Sequence, residues 1–377
     1  MPAHAKEFFE ANLDEIISDI RELVTCESPS NDPEALLKCS RLIESIVEKR
    51  LSTKAEKVEV KGKSPILVFR FPGNTNSMPA LLLTHYDTVH SMGVINEFPF
   101  SYKSGILQGP GVFDMKTGLV QGIWALKYLW DNGLITRPVI LMSTPDEETG
   151  SKGSRKTIEE IAGQCEYAVV LEASAEGMIK TGRKGTGRFT VKVVGKAAHA
   201  GLEPEKGINS IEEMSHIVLE LQKLNDNKEG TTVNVGTIHG GTTSNVVPAE
   251  AEITVDIRVW SLEEAQRITS VFNSLKPANK NARISVTGEF DRPPMISSEK
   301  TRKLVDVIKE ISFEMGKKLE DTSVGGASDG NLVAPLGVPV IDGFGAVGGG
   351  AHSRSEWVDV SEIPFRAALL ARVVTQI

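Results

Sequence analysis

The chain has 377 residues, 40% hydrophobic and 24% charged, which excludes wholesale disorder and, at ~150 residues per domain, predicts two or three domains. Its 42 Lys+Arg stand against 50 Asp+Glu, a net charge of -8 with no Lys/Arg run. Nucleic acid is therefore not an expected partner, because phosphate binding needs a clustered basic surface.

Phe9, Leu13, Ile16, Ile17, Ile20, Leu23 and Val24 recur at helical spacing and predict one amphipathic helix over residues 5–25. Asp32-Pro33, a cap followed by a first-turn proline, predicts a second helix that buries Leu36, Leu37, Ile43, Ile46 and Val47. Apolar runs at Ile66–Phe71, Ala80–Thr84, Val139–Ser143 and Ala168–Leu171 predict strands, with helical patterns at 115–131 and 152–162 between the later ones. That alternation argues for a sheet with parallel strands covered by helices. After Gly182 the order becomes strand 187–195, helix 207–225, strands 232–239 and 249–260, helix 262–275 and strand 282–289, a ferredoxin-like split βαβ pattern. It closes at Arg292-Pro293-Pro294, and a helix at 298–315, a strand at 337–342 and a helix at 361–376 follow. The expected fold is one α/β domain, residues 1–182 and 294–377, interrupted by an inserted α+β domain, residues 183–293. No apolar run approaches the ~20 residues that cross a bilayer, so no membrane partner is expected. The first residues show no secretory-signal pattern, and Cys26, Cys39 and Cys165 have no CxxC spacing, so reduced thiols in a cytoplasmic protein are expected.

Open α/β sheets place ligands at strand ends. Ala80–Thr84 runs into His85-Tyr86-Asp87, Val139–Ser143 into Asp146-Glu147-Glu148, and Ala168–Leu171 into Glu172. The 337–342 strand leads through a glycine-rich stretch to His352, and Gly109-Pro110-Gly111 puts Asp114 on a tight loop before a helix. Imidazoles and carboxylates gathered at one sheet edge describe a site for a borderline cation such as zinc. His85, Asp114, Glu148, Glu172 and His352 suffice for two metals if one carboxylate bridges them. Asp87 is better placed to accept the second ring N–H of His85 than to bind metal, and Glu147 is left to take a proton from a bridging water. Each residue also has a plainer reading as a solvated loop residue, and Glu147-Glu148 as acids opening a helix. Co-occurrence at four strand ends favours the metal site without excluding those readings. Gly326-Ala327-Ser328-Asp329-Gly330 matches G-x-S-x-G, with Asp342 and His352 following in serine-hydrolase order. Ser328 and His352 are too close in sequence, and Glu320–Val324 too weak a strand, to favour that alternative.

In this order, His85-Tyr86-Asp87, Asp114-Met115-Lys116, Asp146 to Ser151, His199-Ala200-Gly201 and the His352 segment resemble the dinuclear-zinc metallopeptidase family 20. That family includes acetylornithine deacetylase, succinyl-diaminopimelate desuccinylase and the glutamate carboxypeptidases. Ser244 to Ala249, Asp256-Ile257-Arg258 and Val340 to Gly345 most resemble the glutamate carboxypeptidase members. The resemblance implies a zinc-exopeptidase-like catalytic domain with an inserted lid and dimerisation domain, and the glycines near 182–187 are hinge candidates for it. It implies two zinc ions per subunit, for which cobalt or manganese could substitute. His85 and Glu172 would hold one, Glu148 and His352 the other, and Asp114, joined to Met115 by a cis peptide, would bridge them. Glu147 would be the general base and then the general acid. His199 would reach the partner subunit's site in a homodimer and steady the oxyanion. Asn245, Arg258 and Arg292 fall at substrate-contacting positions, with Arg258 suited to clamp a free α-carboxylate.

The implied reaction is hydrolysis of a peptide or N-acyl amide bond next to a C-terminal carboxylate, with N-acyl-amino-acid deacylation as the near alternative. A non-catalytic metal-binding relative is a further rival, against which the presence of Glu147 argues. Two departures, Ala173-Ser174-Ala175-Glu176 without a proline and Met178 in place of a lysine, bear on preference for glutamate rather than on the hydrolytic set.

Overall fold

The computed structural model describes residues 5–226 and 228–377. The chain divides into two compact units. One comprises the chain up to Gly182 with Ser297–Val324 and Ser328–Ile377; the other is Arg183–Ile296 with Gly325–Ala327.

The first unit is built on six strands in the spatial order Glu56–Val58, Ile66–Phe71, Val139–Thr144, Ala80–His85, Tyr167–Val170, Val340–Ile341. Pairing is parallel from Val139–Thr144 onward and antiparallel for the first two strands. The three central strands are buried along their whole length, which is why their apolar residues run continuously rather than alternate. Helix Pro33–Leu51 begins where the cap predicts: Asp32 accepts from the N–H groups of Glu34 and Ala35 at 3.1 and 3.0 Å. Helix Thr117–Asp131 buries Leu119, Ile123, Trp124 and Leu126 in the same core as helix Ile363–Gln376.

Several expectations need correction. Residues 5–25 form two helices, Ala5–Ala11 and Leu13–Thr25. Asn12 leaves helical geometry (φ −105°, ψ 13°), and its side-chain amide donates to Phe8 O at 2.7 Å, a local bond that competes with the helix ladder. Leu37 faces outward beside the buried Leu36. The strand expected at 337–342 is only Val340–Ile341. Four short strands that were not expected, Ser101–Lys103, Ile106–Gln108, Gly348–Gly349 and Trp357–Asp359, form a small antiparallel sheet. Two or three residues are too few to show a period.

The second unit has an antiparallel sheet in the order Thr232–Gly240, Glu250–Val259, Gly185–Val194, Arg283–Arg292. Helices Ser210–Gln222 and Leu262–Asn273 complete the ferredoxin-like β-α-β-β-α-β order. Ala251, Ile253, Val255, Ile257 and Val259 alternate with polar neighbours. Their buried face packs with Phe189, Val191, Met214, Ile217, Ile268 and Phe272. Among the described residues, no helix is long and apolar enough to cross a membrane.

Candidate metal centre

Parallel pairing sets His85 beside Thr144, so the Ala80–His85 and Val139–Thr144 strands deliver His85 and the Glu147–Thr149 turn to one sheet edge. Tyr167–Val170 pairs on the other side of Ala80–His85 and brings Glu172 to that edge. His85 Nε2 lies 3.3 Å from Asp114 Oδ1 and 3.2 Å from Glu172 Oε1. His352 Nε2 lies 3.3 Å from Asp114 Oδ2 and 3.2 Å from Glu148 Oε2. Two candidate ligand groups, His85/Asp114/Glu172 and Asp114/Glu148/His352, therefore meet at Asp114, which turns one oxygen to each imidazole.

The donor set fits metal. His85 Nε2, Asp114 Oδ1 and Glu148 Oε1 are buried and make no hydrogen bond among the described residues. Buried polar atoms are ordinarily paired, and divalent cations with nitrogen and oxygen ligands would satisfy all three. Without a cation the groups perturb one another. Asp114 and Glu148 lift His352 to about 11. Burial works against a charged His85, yet Asp114, Asp87 and Glu172 raise it well above its ordinary value. Burial likewise disfavours ionised Asp114, but His352 and His85 hold it well below the usual carboxylate range. Burial raises Glu148.

Asp87 is fully buried and braces the whole edge. Its backbone carbonyl lies 3.0 Å from His85 Nδ1 and its carboxylate 3.4 Å from the same atom. The carboxylate also accepts from Ser30 Oγ at 2.7 Å and from the N–H groups of Glu147 and Glu148 at 3.1 and 3.2 Å. Glu147 shares the turn of Glu148 but belongs to neither ligand group. Asp146, the first acid of the run, holds the turn by accepting from Gly153 N at 2.8 Å, from Ser154 N at 3.3 Å and from the Ser154 hydroxyl.

The loop carrying Asp114 turns at Gly111 (φ 73°), where a Cβ would come within 2.7 Å of Thr88 Cγ2. The Asp114–Met115 peptide is cis. Met115 Sδ accepts the His85 N–H at 3.2 Å. Buried Lys116 donates to Leu23 O and Cys26 O, both at 2.9 Å, at the carbonyl end of helix Leu13–Thr25. Sequence reasoning missed Glu356, a buried carboxylate under this loop. Its sequence signal is weak, a single acid four residues after His352.

The remaining site residues lie in the second unit. His199, on the short strand Ala198–His199, is exposed and accepts from Gly201 N–H at Nδ1 (3.2 Å), which leaves Nε2 to carry the ring proton. Asn245 is brought next to it: its backbone carbonyl accepts from Ala200 N at 3.0 Å. Arg258 is engaged by Asp256 on its own strand, Nε to Oδ1 2.9 Å and Nη2 to Oδ2 3.3 Å. Arg292 is buried at the end of strand Arg283–Arg292. In the first unit, Ser328 does not form the serine-hydrolase arrangement. It is fully buried and its hydroxyl donates to Asp342, while the His352 ring faces Asp114 and Glu148. A cavity of about 440 Å³ opens beside His352, lined by Val89, His90, Met92, Glu97 and Arg354 among others.

The family model for peptidase family M20/M25/M40 matches residues 81–376, spanning every residue of the two ligand groups. The chain belongs to peptidase family M20. Among M20 relatives, carboxypeptidase G2 of Pseudomonas sp. (strain RS-16) is 30% identical over 97% of this chain and 91% of its own. Acetylornithine deacetylase of Proteus mirabilis is 27% identical over 84% and 83%. The crystal structure of aminopeptidase PepT from Bacillus cereus superposes with a TM-score of 0.77 at 22% identity, over 97% of this chain and 98% of that one, a likeness of fold. This M20 chain is accordingly an enzyme of the metallopeptidase and amidohydrolase class.

Proposed function

We propose that the protein is a carboxypeptidase-like hydrolase that cleaves a peptide or N-acyl amide bond next to a free C-terminal carboxylate, with two zinc ions held by His85, Asp114, Glu148, Glu172 and His352. The observation that carries this is the meeting of both ligand groups at Asp114. Cobalt and manganese suit the same nitrogen and oxygen donors. Bound cations would bring the pKa of a shared water towards ~7 and polarise the scissile carbonyl.

The chain's own groups would do the rest. Asp87 fixes the His85 ring and the backbone of Glu147, and the Glu147 carboxylate would accept a proton from the attacking water and return it to the leaving amine. The Nε2–H of His199, its tautomer set by Gly201, suits donation to a developing oxyanion. Arg258 would exchange Asp256 for the substrate carboxylate, with Asn245 and Arg292 as further contacts. The inserted unit would act as a lid, with residues 182–187 as its hinge, and residues 183–293 as its extent. The cavity beside His352 offers room for part of the substrate.

A homodimer is part of this reading. Thr232–Gly240 is an edge strand with most of its residues exposed, Ile238 among them, and Ile211 and Leu219 are exposed on helix Ser210–Gln222. An open strand edge with apolar neighbours favours pairing with a second copy. The three buried free thiols support a cytoplasmic setting. N-acyl-amino-acid deacylation is the second reading, favoured by the acetylornithine deacetylase relative.

A panel of dipeptides and N-acyl amino acids with varied C-terminal residues tests both, run as purified, after chelation and after zinc is restored. Turnover should vanish with the metal, return with it and require the free carboxylate. Turnover that persists after verified metal removal would exclude the mechanism.

A further inference from the structure

We infer that Glu356, together with His90, is a positioning residue for Asp114. The inference rests on reading Asp114 as the ligand that two cations share.

A carboxylate offers about four lone-pair sites, and those of Glu356 meet four N–H donors. Oε1 accepts from Phe113 N at 3.1 Å and Asp114 N at 2.8 Å. Oε2 accepts from Gly111 N at 2.8 Å and from His90 Nε2 at 3.0 Å. Glu356 is fully buried, so water does not compete for these donors. Three of the four belong to the loop that delivers Asp114, the N–H of Asp114 itself among them, and the fourth is His90. On the far side of Asp114, Lys116 is tied to the carbonyls of Leu23 and Cys26. The loop is thereby held up to Asp114 through its backbone N–H groups and beyond it through the Lys116 side chain, by groups that belong to neither ligand group.

Asp114 needs this more than the other four candidate ligands. Each of them serves one group, whereas Asp114 must keep Oδ1 3.3 Å from His85 Nε2 and Oδ2 3.3 Å from His352 Nε2. Turning the carboxylate toward one imidazole moves it away from the other. A carboxylate that serves two cations at once is sensitive to a tilt of its backbone that a terminal ligand would follow. Glu356 sets that tilt, and His90 fixes Glu356 by holding Oε2. Partners behind a ligand commonly change metal affinity or activity ~10–100-fold when removed.

Cobalt(II) titration of the full chain, followed by visible absorption, tests this in Glu356→Gln, His90→Phe and His90→Gln. The glutamine at 356 turns an amide NH₂ toward two of the four donors. It should weaken cobalt binding by about 10-fold or more and change the cobalt absorption envelope. His90→Phe should weaken it less, and His90→Gln, which keeps an N–H donor, should recover most of that loss. Wild-type affinity and absorption in a folded Glu356→Gln protein would overturn the inference, even if its thermal midpoint fell, because a merely structural role predicts that result. If Glu356→Gln fails to fold, the contrast between His90→Phe and His90→Gln decides: equal cobalt affinity in the two overturns the proposal. Asp114→Asn separates the two levels. Undiminished binding of two cobalt ions there defeats the shared-ligand reading itself. Loss of cobalt there, with normal binding in the Glu356 and His90 variants, defeats the positioning role alone.

Discussion

The two units present most of their candidate functional side chains in opposite ways, with exposed His352 the exception in the first and buried Arg292 the exception in the second. In the first, His85, Asp87 and Glu172 are buried at the ends of fully buried strands, and the loop of Asp114 is tied down by Glu356 and Lys116. In the second, His199 and Asn245 stand exposed beside a two-residue strand, and Arg258 is half-exposed and already paired with Asp256. The contrast follows from the tasks proposed for them. A pair of cations requires ligands fixed to a fraction of an ångström before anything binds, which buried, cross-braced groups provide. Residues that meet a substrate must be reachable and able to exchange partners.

The contrast can be broken or sharpened by substitution. Glu147→Ala should reduce kcat by roughly 10²–10⁴-fold while metal content stays at the wild-type level. Full turnover in that variant would remove Glu147 from the chemistry, and lost metal would make it a ligand instead. His199→Ala, on the exposed side of the comparison, should cost about 10²–10³-fold in kcat, again with metal retained. A change in KM alone would reassign His199 to substrate binding.

Titration probes the buried ligand groups of the first unit. In the metal-free protein Asp114 and Glu148 raise His352 to about 11, so the imidazole is protonated at neutral pH. A cation must displace that proton. Metal affinity should therefore rise with pH below that value, by about tenfold per unit for each proton released, and the release is measurable by calorimetry in buffers of different ionisation enthalpy. Affinity that stays flat between about pH 6 and 8 would contradict the proton-loaded site. The smallest functional effect belongs to Ser328→Ala. It should destabilise the fold by about 1–3 kcal/mol, since buried Asp342 loses a donor, and leave kcat/KM unchanged. A catalytic loss with the fold intact would reopen the serine mechanism.

Much of the site was legible because parallel strands collect their ends at one edge. His85, Glu148 and Glu172 each follow an apolar run that the structure confirms as a strand or its immediate end. The Asp256–Arg258 pairing was equally readable in principle, since residues two apart on a strand share a face. Other features carried no usable pattern. Asn12 breaks a helix whose apolar periodicity runs on past it, because periodicity reports burial and not a side chain's competing hydrogen bond. The short strands around Gly348 and Trp357 are set by their partners rather than by their own residues.

The amino-acid sequence by itself determined the alternation of apolar runs and helical stretches, the caps, and the order in which acids and histidines follow strands, because these depend on neighbours within a few residues. Only the tertiary structure decided that Asp114 divides its oxygens between two imidazoles, and that Glu356, 242 positions along the chain, grips its backbone N–H. Such contacts join distant segments through backbone groups that every residue possesses. No local sequence pattern can name the partner.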